Sequence, residues 1–179
     1  FFVWKKYHPV VPPIENVVNN YNNGSLDEAI LSAESLSKKN PQDVTALLAL
    51  AASYAQRGSV TFKEEENAAK AIEYADKALA IDPSSSEAYR IKGYAYEIQE
   101  KYDEAHTNYD KAIQLNPANS QAISNKGHAY DLQGEIEKAA EWYKRALAVS
   151  PVNDHALLNL ARYYIRKNNF DEARISIDN

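Results

Sequence analysis

An all-α solenoid of about five helical hairpins, the last incomplete, is the fold class that this sequence predicts, and three observations predict it. Residues 86–119 and 120–153 are adjacent copies of one 34-residue unit, identical at 12 positions. A period of that length belongs to stacked supersecondary units rather than to one globular core. With each unit numbered 1 to 34, small residues recur at 8, 20 and 27 (Gly93, Ala105, Ala112; Gly127, Ala139, Ala146), where two helices must approach closely. Tyrosines recur at 11 and 24 (Tyr96, Tyr109; Tyr130, Tyr143) to fill the spaces between hairpins, and a proline at 32 (Pro117, Pro151) ends the second helix.

Taken in order, the chain opens on residues 1–13, FFVWKKYHPVVPP, which differ from everything after them. Aromatic and apolar residues meet Lys5 and Lys6, then a proline-rich stretch, as at the last turn of a membrane helix where it meets water. Four residues cannot span a bilayer that needs about 20, so this reading expects a membrane helix upstream of Phe1 and a stiff linker from Pro9 to Pro13. In the alternative, Phe1, Phe2 and Trp4 fold back and cap the first hairpin.

The solenoid occupies 14–179. Counting back from Pro41 gives a unit at 10–43, with a first helix over roughly Ile14 to Tyr21 whose Asn16, Asn19 and Asn20 suit a water-facing terminal repeat. Asn23-Gly24-Ser25 matches a glycosylation acceptor, but Asn-Gly also makes the turn between two helices, and the turn is the preferred reading. The next unit, 44–85, carries eight extra residues between Gly58 and Ala71, which extend either the turn or the start of the second helix; its Glu64, Glu65 and Glu66 suit a solvated first turn. The two full copies follow at 86–119 and 120–153. Ser84 and Glu87 are spaced as a capping box, and Asn119 or Ser120 caps the next unit. A partial unit fills 154–179, with Leu157, Leu160, Ala161, Tyr164, Phe170 and Ala173 in register; because no polar-faced capping helix closes the array, a continuation past Asn179 is expected.

These residues resemble the tetratricopeptide repeat (TPR) family, whose signature is a large residue at 4, Gly or Ala at 8, Tyr at 11, Ala at 20, an aromatic at 24, Ala at 27 and Pro at 32. Ile123 at position 4, and Lys92 and Lys126 in place of the usual Leu at 7, are mild departures. The resemblance implies a right-handed α-α superhelix whose first helices line a concave groove, with positions 2, 5, 6, 9, 12 and 13 facing a ligand. That selects Glu87, Arg90, Tyr94, Glu97 and Ile98 in one unit, and Gln121, Asn125, His128, Asp131 and Leu132 in the next. His155, Asn159, Arg162 and Arg166 follow in the last, with Ile98 and Leu132 also readable as hairpin packing. The clamp that chaperone-tail binders of the family use would need Lys, Asn, Asn, Lys and Arg where this chain has Arg90, Tyr94, Asn125, His155 and Asn159. Only Arg90 and Asn125 fit, so that ligand is not expected.

Composition and motifs narrow the function further. The net charge is -5, with Lys and Arg scattered among Asp and Glu, which argues against nucleic acid as a partner. There is no cysteine, hence no disulfide or thiolate metal site. The glycines form neither a dinucleotide fingerprint nor a phosphate loop, so no cofactor is expected. His8, His106, His128 and His155 lack metal-ligand spacing, although His128 and His155 come near each other on adjacent units. Asp154 and His155 read as a helix start in which Asp caps and His is incidental. No catalytic constellation stands out. The sequence thus predicts a non-enzymatic protein-interaction scaffold that binds a peptide or partner protein in the groove and is tethered to a membrane through its N-terminus. Alternatives are a structural subunit of a self-assembling complex or filament, or the targeting arm of a larger enzyme.

Overall fold

The computed structural model describes residues 14–60 and 64–178. They form ten α-helices: α1 (Ile14–Asn22), α2 (Leu26–Lys39), α3 (Val44–Val60), α4 (Glu64–Ile81), α5 (Ser86–Ile98), α6 (Tyr102–Leu115), α7 (Ser120–Leu132), α8 (Ile136–Val149), α9 (Asp154–Arg166) and α10 (Phe170–Asp178). The readings placed on residues 1–13 lie outside the described residues. Among those described, no helix is long and apolar enough to cross a membrane.

Local chemistry sets the helix ends. α2, α4, α6 and α8 stop at Lys39, Ile81, Leu115 and Val149, two residues before Pro41, Pro83, Pro117 and Pro151. The residue between is extended (φ -135 to -139 at Asn40, Asn116 and Ser150), because a proline ring disfavours helical backbone in the residue it follows. Asn119 and Asn153 cap α7 and α9 by accepting from the amides of Ala122 (3.0 Å) and Ala156 (2.9 Å). Two expectations are corrected here. Ser85, not Ser84, caps α5, accepting from Ala88 N–H at 3.2 Å, while Ser84 turns back to Asp82. Asp154 is not the cap of α9 but its first residue.

Between the helices of a hairpin, position 15 takes a left-handed conformation in every described turn: Gly24 (φ 77), Glu100 (φ 58), Gly134 (φ 80) and Asn168 (φ 57). The following amide then reaches back to the helix, as Lys101 N–H does to Tyr96 O at 2.9 Å. Where eight extra residues were expected in the turn or in one helix, both helices are longer. α3 has 17 residues against 13 in α5, and α4 has 18 against 14 in α6, about one turn more on each.

The odd-numbered helices touch one another in succession (α1·α3, α3·α5, α5·α7, α7·α9), whereas the even-numbered ones touch only odd ones. The odd helices therefore form the inner wall of the curve and the even helices splay on its outer radius. Contact within each hairpin rests on a volume trade between positions 8 and 24. In the two full copies Gly93 faces Tyr109 and Gly127 faces Tyr143, both tyrosines being buried. Elsewhere the same positions hold the buried pairs Ala51 with Ala75 and Val17 with Ala33. The two lysines at position 7 are also explained. Lys92 reaches Asp76 at 2.6 Å and Lys126 reaches Asp110, in each case the acid at position 25 of the unit before. In the last unit Leu160 takes the place, and Lys144 stands where the acid would be.

Candidate peptide-binding groove

The inner wall carries adjoining recesses. One of about 200 Å³ is bounded by Tyr21, Arg90, Tyr94, Asn125, His128 and His155. A second, of about 300 Å³, continues past Glu87, Gln121 and Ser124. A third, about 220 Å³ and mostly apolar, lies toward the N-terminal end between Ile14, Val17, Leu48 and Ile91. Seven of the fourteen residues selected from the sequence line the first two: Glu87, Arg90, Tyr94, Gln121, Asn125, His128 and His155.

The polar wall is held by bonds along and between helices. Arg90 and Glu87, one turn apart on α5, form a two-pronged pair (Nε to Oε2 2.8 Å, Nη2 to Oε1 2.5 Å). With the Asn125 amide assigned its satisfied orientation, its oxygen accepts from Arg90 Nη1 at 3.3 Å and its nitrogen donates to Gln121 O at 3.2 Å. Tyr94 has its pKa raised by burial.

The remaining predicted residues stand elsewhere. Glu97 is 4% exposed and Asn159 4%, so neither offers a surface to a ligand as expected. Position 12 turns toward the next unit instead: Glu97 accepts from Tyr109 O–H at 3.0 Å and from His128 Nδ1 at 2.7 Å. A carboxylate only accepts, so His128 carries its proton on Nδ1. The pKa of His128 is raised, by this hydrogen bond and against its burial. Asn159 donates to His155 O (3.0 Å) and accepts from Arg162 (3.2 Å). Asp131 and Arg166 pair across α7 and α9 at 2.7 Å, and Arg162 is exposed. Leu132 is exposed, whereas Ile98 packs against the core.

His155 is not incidental. Its Nδ1 lies 2.8 Å from Ser124 Oγ, and its ring stands edge-on to His128 and Tyr143, with centroids 5.3 and 6.3 Å away. The residue is exposed, yet partial desolvation of its ring, with His128 and Arg162 beside it, pushes its pKa down to about 4. No group of three metal-ligating side chains converges among the described residues. Tyr21 was missed, although it lines every one of these recesses. It stands at position 12 of the first unit, so the position rule used for the later units would have found it. Ser124 was missed likewise, although it stands at position 5, as Arg90 does one unit earlier; Tyr143, on a second helix, obeys no such rule.

Models of the tetratricopeptide repeat family match residues 19–86 and 92–153, and further ones match 132–178 and 74–107. The chain belongs to the tetratricopeptide repeat family. Among curated proteins none matches it. Of solved structures, the chain is similar to a thermophilic TPR protein of Thermus thermophilus (26% identity, 92% of this chain and 86% of that one, TM-score 0.78). It is also similar to MamA (28% identity, 90% of each chain, TM-score 0.62). Pseudomonas aeruginosa PilF, at 23% identity, 92% and 72% coverage and TM-score 0.68, shares the fold. Family membership and this fold place the chain among TPR protein-interaction scaffolds.

Proposed function

We propose that this TPR protein is a non-enzymatic scaffold that holds an extended peptide or a helix of a partner protein along its inner wall. The observation that carries the reading is the adjoining apolar and polar recesses from Ile14 to His155, where Tyr21, Arg90, Tyr94, Asn125 and His128 offer donors, acceptors and aromatic faces in one line. Such a wall suits main-chain hydrogen bonding with a few side-chain anchors. The test is capture from source-cell lysate by the wild type and by the Tyr94→Ala/Arg162→Ala variant. A partner held by the first and lost by the second, with helical circular dichroism unchanged, supports the groove; equal capture by both overturns it.

The aromatic and lysine pattern of residues 1–7 supports a membrane tether as part of the same proposal. It predicts that the chain with residues 1–13 binds anionic lipid vesicles and that residues 14–179 do not.

A second reading, a self-assembling subunit, is favoured by one observation. At the last hairpin Leu158, Ile165, Phe170 and Ile175 are all about half exposed or more (49–64%). It requires a solution mass well above the 20.1 kDa of one chain, and light scattering decides it.

A further inference from the structure

The two boundaries between the full units and their successors use the same three positions differently. At the first, Tyr109 (position 24) and His128 (position 9 of the next unit) converge on the carboxylate of Glu97 (position 12) at 3.0 and 2.7 Å. At the second the same positions hold Tyr143, Arg162 and Asp131. Asp131 is one methylene shorter than Glu97 and is drawn away to Arg166 at 2.7 Å. The Tyr143 hydroxyl is left buried with no hydrogen-bond partner, on a side chain 1% exposed. Arg162 makes no ion pair among the described residues and donates only to the Asn159 amide at 3.2 Å. At this boundary, then, neither the position-24 hydroxyl nor the position-9 donor is held by the position-12 carboxylate. An orphaned buried hydroxyl is costly, and native proteins seldom leave one without a use.

We propose that a carboxylate from a bound peptide, the side chain of an Asp or Glu, takes the place between Tyr143 and Arg162 that Glu97 fills one repeat earlier. Access is from the groove, since His155 stands edge-on to Tyr143 and lines both polar recesses; its exposed imidazole is the side chain that turns aside. The charged groups around Tyr143 are Asp131, Glu97, Arg162 and Arg166. Asp131 is paired with Arg166 and Glu97 is held by Tyr109 and His128, which leaves the Arg162 guanidinium as the one to attract an anion. The source of the carboxylate rests on the groove reading above; the anion site itself does not.

The experiment follows the His155 imidazole resonances of the whole chain by NMR during titration with sodium acetate, with sodium chloride as the ionic-strength control. The same titration is run with two end-blocked tripeptides, Ala-Glu-Ala and Ala-Gln-Ala. Acetate and the glutamate tripeptide shift His155 saturably; chloride and the glutamine tripeptide do not. Asp131→Glu, which supplies the chain's own carboxylate to Tyr143, weakens both ligands by about tenfold or more, and Tyr143→Phe does so by about tenfold. Tyr143→Phe removes a hydroxyl that bonds nothing, so it keeps or raises the melting temperature, whereas Tyr109→Phe lowers it. No saturable shift in the wild type overturns the proposal, as does undiminished binding in Asp131→Glu. Binding of acetate but not of the glutamate tripeptide overturns the peptide source. No response to acetate or to the glutamate tripeptide, while lysate capture is still lost in Tyr94→Ala alone, refutes this subsite and leaves the groove reading standing.

Discussion

Three helical glycines differ in what a methyl group would meet, and the difference predicts a graded series. At Gly93 a Cβ would lie 2.7 Å from both Cδ1 and Cε1 of Tyr109 and 3.2 Å from Ala105 O. The ring cannot yield, since Tyr109 is fully buried and its hydroxyl is tied to Glu97. Overpacking of this kind costs about 1–3 kcal/mol, against a gain of up to about 1 kcal/mol from replacing glycine inside a helix. Gly93→Ala should therefore lose about 1–2 kcal/mol, a fall of roughly 2–8 °C in Tm. At Gly127 the contacts are 2.9–3.1 Å, to Tyr143 and Trp142 Cβ, and the Tyr143 ring has no hydroxyl bond to hold it, so Gly127→Ala should lose less. At Gly58 the nearest atoms are at 3.4 Å, ordinary contact, so Gly58→Ala should be neutral or more stable. Urea unfolding followed by far-ultraviolet circular dichroism and by tryptophan fluorescence gives the order, provided the two probes coincide. Gly93→Ala as stable as wild type, or Gly58→Ala the most damaging, would refute the account of hairpin packing.

The hairpin turn offers a stabilising change. Glu100 occupies a left-handed position at φ 58 where Gly24 and Gly134 sit freely, so Glu100→Gly should raise stability by about 1 kcal/mol in the same unfolding assay. The two groove histidines set opposite pH slopes. His128 has a raised folded pKa, so the stability it contributes is complete below its unfolded value of about 6.5 and is lost as pH rises through the folded one. The groups facing it are Glu97, Asp131 and Arg162. His155, lowered to about 4 by burial, His128 and Arg162, contributes stability above pH about 6.5 that is lost as pH falls toward 4. Relative to wild type, His128→Gln should flatten the decline in stability on the alkaline side and His155→Gln the decline on the acid side; the reverse assignment would contradict the bonding described for Glu97.

What could be read from the residues was whatever repeats at fixed spacing. Gly93, Tyr109, Ala112 and Pro117 recur 34 residues on, and each has one cause within its own hairpin, so identity and position sufficed. The groove was half legible because it depends on pairs that cross between hairpins. Glu97 looked ligand-facing by position, yet its carboxylate is buried between Tyr109 and His128, the latter 31 residues away. The lysines at position 7 looked like departures from the family until Asp76 and Asp110, each 16 residues earlier, supplied their partners. The caps fell one residue from expectation because Ser84 has an alternative acceptor in Asp82, a competition that spacing alone does not resolve. The same logic shows where specificity resides in such an array. The apolar positions must stay alike for the hairpins to stack, so distinct character enters at the polar ones, such as 2, 5, 7, 9 and 12; at position 12 one methylene, Glu97 against Asp131, decides whether a tyrosine hydroxyl is satisfied from within.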